Sequence, residues 1–323
     1  MKLRRTLLTT ALPLALLIPT LAGAITLQVA DTQPKGYPAI TAIEHMGEKL
    51  NTATNGEITM KVFAGGVLGG EKEAIEQAQI NAIQLTRVSL GVVGPVVPDV
   101  NVFNMPFVFR DSAHMRKVID GEIGQEILDK ITDSTFELVG LAWMDAGSRN
   151  FYSKEPIRTL ADLKGKKMRM MENPLFLDTM NALGGSGIAM GTGETFSALQ
   201  SGVIDGAENN PAVMLAQNHQ QVAKYFSETG HLIIPEPLVM SKKAWEMLSS
   251  EQQTLVKKFA REAQMEQRAL WDIQVAQSEE KLKAAGVEFI QVDRKPFHEA
   301  TAAVREKYGA PYAALIERIE AVQ

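Results

Sequence analysis

The 323-residue sequence predicts an α/β protein of two lobes, and three features carry that prediction. Strand-patterned and helix-patterned segments alternate from Ile25 onward, the arrangement that builds sheets flanked by helices. Gly70-Glu71 followed by Gln77 recurs as Gly193-Glu194 followed by Gln200, and Asn81-Ala82-Ile83 is loosely matched by Asp205-Gly206-Ala207. Each copy is a Gly-Glu helix feeding a strand, as two lobes built on one plan would produce. From Ser249 to Ala285 a helical pattern runs without proline or glycine. Unless it hides a break, its roughly 35 residues at 1.5 Å each extend about 50 Å, enough to lie along both lobes.

Composition bounds the class. With 45% hydrophobic and 22% charged residues the chain can bury a core, and with no cysteine it can use neither disulfides, thiolate catalysis nor sulfur-ligated zinc. The start, Met1-Lys2-Leu3-Arg4-Arg5, leads into an uncharged apolar run through Leu21 and then Ala22-Gly23-Ala24, the pattern of a secretory leader cut after Ala24. Pro13 and Pro19 argue against the alternative, a membrane anchor. Removing residues 1–24 takes away Lys2, Arg4 and Arg5 and no acids, so the formal charge moves from -5 to -8. An acidic exported chain without a basic stripe is a poor candidate for binding nucleic acid. The expected location is the bacterial periplasm or the cell exterior.

The elements follow in order. Ile25 to Ala30 alternates as a first strand ending at Asp31-Thr32-Gln33-Pro34, where Asp31 and Gln33 are either cleft residues or loop caps. Tyr37 to Leu50 is helical, and Asn55-Gly56 turns into a strand carrying Ile58, Met60 and Val62. Gly65-Gly66-Val67-Leu68-Gly69-Gly70-Glu71 lacks both phosphate-loop and dinucleotide spacing and instead swings the chain into a helix from Glu71 to Gln79. Glu71 there either accepts hydrogen bonds from ligand hydroxyls or caps the helix. A strand is expected over 81–90 with Arg87 inside it, helices around 114–119 and 124–133, and a strand over 136–143. Beyond the central stretch come a helix over 175–183, the Gly193-Glu194 helix, a strand from Val203, a helix over 217–226, a strand at 238–240, the long helix, and a tail on the second lobe.

The stretch from Trp143 to Asn173 carries the chemistry. It sets Arg149 and Arg169 on successive strands, so one pocket could receive two guanidinium forks matched to a carboxylate. Arg169, inside the apolar run Lys167-Met168-Arg169-Met170-Met171, must pair with something, either a ligand carboxylate or a fixed acid of the core. Glu208-Asn209-Asn210 ends the strand beside it; Asn209 can donate to a bound carboxylate or form an Asx turn before Pro211. No catalytic constellation stands out: the five histidines are scattered, no zinc motif occurs, and Gly184-Gly185-Ser186-Gly187 lacks the last glycine of a nucleophile elbow. Asp145, Glu172 and Glu208 near the arginines should stay ionised and serve as acceptors.

Leu68-Gly-Gly-Glu71, Pro106-Phe107-Val-Phe109-Arg110, Gly147-Ser-Arg149-Asn-Phe-Tyr152, Asp162-Leu163-Lys164-Gly165-Lys-Lys-Met-Arg169 and Asp205-Gly206-Ala-Glu208-Asn209, in this order, resemble the solute-binding proteins of TRAP transporters, DctP type. The resemblance implies a periplasmic binding protein type II-like fold with a strand-exchanged hinge and a long hinge-spanning helix. Its lobes would be 25–146 with 235–270 and 147–234 with 271–323. It implies that Arg169 clamps a carboxylate with Arg149 and Asn209 as helpers; beside it, Glu71, Arg87 and Asp145 are expected to contact ligand hydroxyls from the facing lobe and Gln33 to join them from the first loop. Glu71, Arg87, His114 and the Glu-Asn-Asn-Pro run are similar to members that take sugar acids such as D-glucuronate and D-galacturonate. Those members commonly carry histidine where Gln33 stands, and a C4-dicarboxylate, keto acid or shorter hydroxy acid stays open. The implied partners are the small and large membrane subunits of the permease, with the receptor a monomer that uses no cofactor. A secreted sugar-acid lyase or isomerase using Asp145 or Glu208 as base, and a sensory binding module, are the alternatives.

Overall fold

Two sheets organise the computed structural model, which describes residues 24–323; the rest of the expected leader lies outside the described residues. The strands are β1 (Ile25–Ala30), β2 (Ile58–Phe63), β3 (Leu85–Arg87), β4 (Leu138–Met144), β5 (Ser148–Ser153), β6 (Lys167–Met170), β7 (Ser186–Ala189), β8 (Gly206–Asn209), β9 (Tyr225–Ile233), β10 (Glu236–Ser241) and β11 (Glu288–Ile290). One sheet runs β2-β1-β3-β10-β4, the other β11-β9-β5-β8-β6-β7. In each, a central strand has two parallel neighbours, and then comes an antiparallel strand that has just crossed from the other lobe: β10 after β9, and β5 after β4. The lobes therefore share one plan and exchange strands through the short crossings 145–147 and 234–235.

The crossings have local causes. Gly147 adopts φ +64°, a left-handed turn open to glycine, and a Cβ there would stand 3.1 Å from the Trp271 ring, so the chain turns tightly against the long helix. Strand β4, Leu-Val-Gly-Leu-Ala-Trp-Met, is buried at every position, as a strand covered on both faces requires. Helix Glu122–Asp133 accepts the Trp143 indole N–H at Gly124 O, 3.1 Å away. Helix Ser250–Ala284 opens with a reciprocal Ser249/Gln252 cap and continues unbroken; it packs on helix Pro38–Ala53 and β4, and further along on helix Pro211–Ala216. It thus touches both lobes.

Three expectations are corrected. Residues 217–226, read as a helix, form only a short 3-10 turn at His219–Gln221 before β9 begins at Tyr225. Sheet partners decide this, for Tyr225 and Phe226 pair with Ser153 and Tyr152 and Phe226 is buried. The chain between the helix over 175–183 and Gly193-Glu194, for which no element was expected, forms strand β7 at Ser186–Ala189. The last helix, Ala313–Ala321, was expected on the second lobe but is tied to the first: Arg318 pairs with Glu126, and His114 and Arg110 bind backbone carbonyls from Ile319 to Val322. His114 is therefore a clip for the C-terminus.

Candidate functional site

Arg169 is the third residue of β6, hemmed by Ile188 of β7 and Ala207 of β8, and is 3% exposed. Its Nε donates to Met190 O at 2.9 Å and its Nη2 to Thr192 Oγ1 at 3.3 Å, both neutral acceptors. It forms no ion pair among the described residues, whereas the two other fully buried arginines, Arg87 and Arg149, both do. Burial pulls its pKa below the usual arginine value, with the field of Glu208 opposing, yet a guanidinium starts high enough to stay charged. In front of it lies a cavity of about 330 Å³ lined from both lobes, by Thr32, Glu71, Lys72 and Glu73 on one side and Glu172, Thr192 and Glu194 on the other. An unpaired buried cation facing a cavity is a receptor for an anion.

Arg149 is differently placed. Its Nε donates to Glu208 Oε2 at 2.6 Å, its Nη2 to Glu208 Oε1 at 2.8 Å and Glu208 O at 3.0 Å, and its Nη1 to Asn209 Oδ1 at 3.2 Å. The fork is matched by a fixed acid, the outcome left open for Arg169. Asn209 Oδ1 also accepts from the Asn210 backbone N–H and side-chain amide, which fixes the flip of Asn209 and leaves its Nδ2 without an acceptor among the described residues. Nearby His231, stacked on Phe151 at 4.2 Å, has its pKa pushed down to about 4 by burial and so is neutral beside Glu208.

Three expected ligand contacts meet fixed partners instead. Arg87 gives Nε and Nη2 to Asp31 at 2.7 and 2.6 Å and Nη1 to Glu236, so it has two acids of its own. Asp145 leaves the cleft: Arg116 Nε lies 2.5 Å from one oxygen and Arg268 Nε 3.5 Å from the other, while Gln267 holds its backbone N–H and carbonyl, making it a brace between the crossing and the long helix. Gln33 accepts from Gln217 Nε2 at 3.4 Å, a contact between lobes, and Asp31 Oδ1 accepts its backbone N–H. Glu236 went unrecognised, although Pro235-Glu236-Pro237 marks a forced start of β10.

Register ties these pairs together. Arg87 opposes Leu238 on β10, and Glu208 opposes Phe151 on β5. Two residues upstream on those crossing strands stand Glu236 and Arg149, so the two lobes hold the same buried ion pair at equivalent positions with the charges reversed. The repeated Gly-Glu starts also converge, since Gly70-Glu71 and Gly193-Glu194 both line the cavity. Only the first copy had been read as a site, and the repeat was the signal for the second.

Glu71 is the unusual acid. One oxygen accepts the Ser89 N–H at 3.1 Å, no cation among the described residues pairs with it, and burial, reinforced by Glu236, raises its carboxyl to about 7 against the pull of Arg87. A carboxyl raised on folding stabilises the protein fully below its unfolded value of 4.5 and loses that contribution as pH climbs through about 7. The ligand-free protein should lose melting temperature between pH 5 and pH 8, and Glu71→Gln should flatten that decline by several degrees; scanning calorimetry at matched salt reads it, and parallel curves would reject it.

A family model for bacterial extracellular solute-binding proteins, family 7, matches residues 29–311. A solute-binding protein of a TRAP transporter from Pseudomonas putida F1, solved with D-glucuronate, is 70% identical, superposes with a TM-score of 0.92 and covers 93% of this chain and 98% of its own. One from Citrobacter koseri with D-glucuronate is 47% identical over 93% of this chain and 100% of its own at 0.91, while its open form without ligand, covering 92% and 99%, gives 0.82. The present structure is nearer the bound form. The C4-dicarboxylate-binding periplasmic protein of Rhodobacter capsulatus is 34% identical over 77% of this chain and 74% of its own length.

Proposed function

The chain belongs to the bacterial extracellular solute-binding proteins of family 7, DctP type, and from that premise we propose that it captures a hexuronate, D-glucuronate or D-galacturonate, and delivers it to a TRAP permease. The observation that carries the ligand class is the mismatch around the cavity: one unpaired arginine, Arg169, against a wall rich in carboxylates. One buried cation takes one carboxylate, Lys72 being exposed. Glu71, Glu73, Glu172 and Glu194 then face whatever remains, and carboxylates are acceptors for sugar hydroxyls but repel a second anion. The volume of about 330 Å³ suits a monosaccharide, at the small end of ligand pockets. Asn209 Nδ2, held ready by Arg149, supplies a further donor.

Binding and closure are one event in this reading. Only with the lobes together do Glu71 and Arg169 reach one ligand, so the ligand favours the closed form, and the exclusion of water strengthens each polar contact. The closed, monomeric receptor is then read by the small and large membrane subunits of the permease, which use the ion gradient. Residues 1–24 serve as the export leader and are removed, leaving the receptor in the periplasm, with no cofactor and no nucleic-acid partner. The enzymatic alternative weakens because both of its candidate bases are engaged, Asp145 by Arg116 and Glu208 by Arg149.

Thermal shift followed by calorimetry tests the ligand class, since a ligand of the folded state raises the melting temperature. D-Glucuronate and D-galacturonate should bind at least about 100-fold more tightly than C4-dicarboxylates or the corresponding diacid sugars, a second buried unpaired charge costing about 3 kcal/mol or more. NMR of the same sample should show the uronate unconsumed. Equal affinity for succinate, or turnover, rejects the reading.

A further inference from the structure

The charges around the cleft do not balance once an anion is inside. Arg87 is over-compensated by Asp31 and Glu236, Arg149 is matched by Glu208, and Arg169 is uncompensated. Without ligand this set is neutral if Glu71, half-buried at the cavity, carries a proton. A uronate seated on Arg169 makes it one charge negative, and an ionised Glu71 would make it two. The other groups facing Glu71 offer no rescue: on its own helix Lys72 and Glu73 are exposed, and across the cavity Glu172 and Glu194 add negative charge. Arg87 from β3, the nearest cation in effect, is occupied by Asp31 and Glu236. Glu71 is also the acid with the least to lose by protonation, because its sole hydrogen bond comes from the Ser89 backbone N–H.

Resting on the uronate reading of this site, we propose that the receptor takes up its anion together with one proton, held by Glu71, so that a carboxylic acid and not a carboxylate faces the bound sugar. The proton comes from solvent and joins one Glu71 oxygen, whose O–H then donates to a ligand oxygen; the uronate carboxylate stays ionised on Arg169. Burial has already brought the empty site close to this state, with the Glu71 carboxyl at about 7. Like-charge repulsion from the incoming anion moves it further in the same direction.

Calorimetry of D-glucuronate binding in two buffers of different ionisation enthalpy counts the protons. About one should be taken up per ligand at pH 8 and almost none at pH 6, where Glu71 is already protonated. Affinity should weaken by up to about tenfold per pH unit above pH 7. Glu71→Gln should remove both the uptake and the pH dependence. Tight binding at pH 8 with no buffer-dependent heat overturns the proposal, as does undiminished uptake in Glu71→Gln. If that variant does not bind, the ¹³C carboxyl resonance of Glu71 in the wild-type complex decides: the protonated position at pH 8 supports it and the ionised position overturns it. Absence of binding by any uronate at either pH is a different failure, that of the ligand class, and the proton falls with it.

Discussion

Arg169→Ala is expected to abolish uronate binding and leave the fold intact. The wild-type guanidinium is buried with only Met190 O and Thr192 Oγ1 as partners, and the other cation of the cavity wall, Lys72, is exposed, so Arg169 is the one buried cation there for a bound carboxylate. Truncating one side of a buried, hydrogen-bonded charge pair costs about 2–5 kcal/mol, which is roughly 30-fold to several-thousand-fold in Kd. Stability should move the other way, because the ligand-free protein no longer buries an uncompensated cation. Arg169→Met keeps the apolar bulk and should raise the melting temperature without ligand while failing to bind. Calorimetry on either variant decides, and wild-type affinity would remove Arg169 from the centre of the site.

Arg149→Met should do the reverse and damage the fold. Glu208 is fully buried and receives two guanidinium nitrogens of Arg149; His231 at 3.9 Å is neutral at working pH, and Arg169 lies within its field but forms no ion pair with it. Leaving that carboxylate unpaired costs about 3–5 kcal/mol. Urea unfolding should show the loss in the second lobe, read from a probe near Tyr152 or Phe226, and the double variant Arg149→Met/Glu208→Leu should recover most of it. A loss under about 1 kcal/mol in the single variant would mean that Glu208 finds another partner or a proton, and the inverted ion pairs would lose their structural role. The two substitutions thus separate two buried strand arginines of one lobe, Arg169 between Met168 and Met170 and Arg149 between Ser148 and Asn150: on the proposed function the first holds the ligand, while the second is paired with Glu208.

Much of this was legible before any coordinates. The Arg169 strand and the long helix announce themselves through local pattern, a charge in an apolar run and a helical period without breakers. The failures are equally local in origin. Residues 217–226 have a helical look, but Tyr225 and Phe226 are claimed by β5 across the sheet, a partner more than seventy residues distant in the chain. Asp145 stands next to the arginine stretch in sequence and faces away from it in space, because the Gly147 turn sends the chain to the other lobe.

The sequence by itself determined that this is an acidic α/β chain of two similar halves with a charge set in an apolar strand at Arg169, since patterning, composition and motif spacing are properties of neighbouring residues. Only the tertiary structure decided which arginines are spent, that Asp31 and Glu236 occupy Arg87 and Glu208 occupies Arg149, and that Glu71 and Glu194 face one another's lobe across a single cavity. The reason is that a charge is free or paired according to what packs within about 4 Å of it, where Coulomb terms in a dry interior are large. Those neighbours come from strands exchanged between lobes, and chain order does not encode that distance.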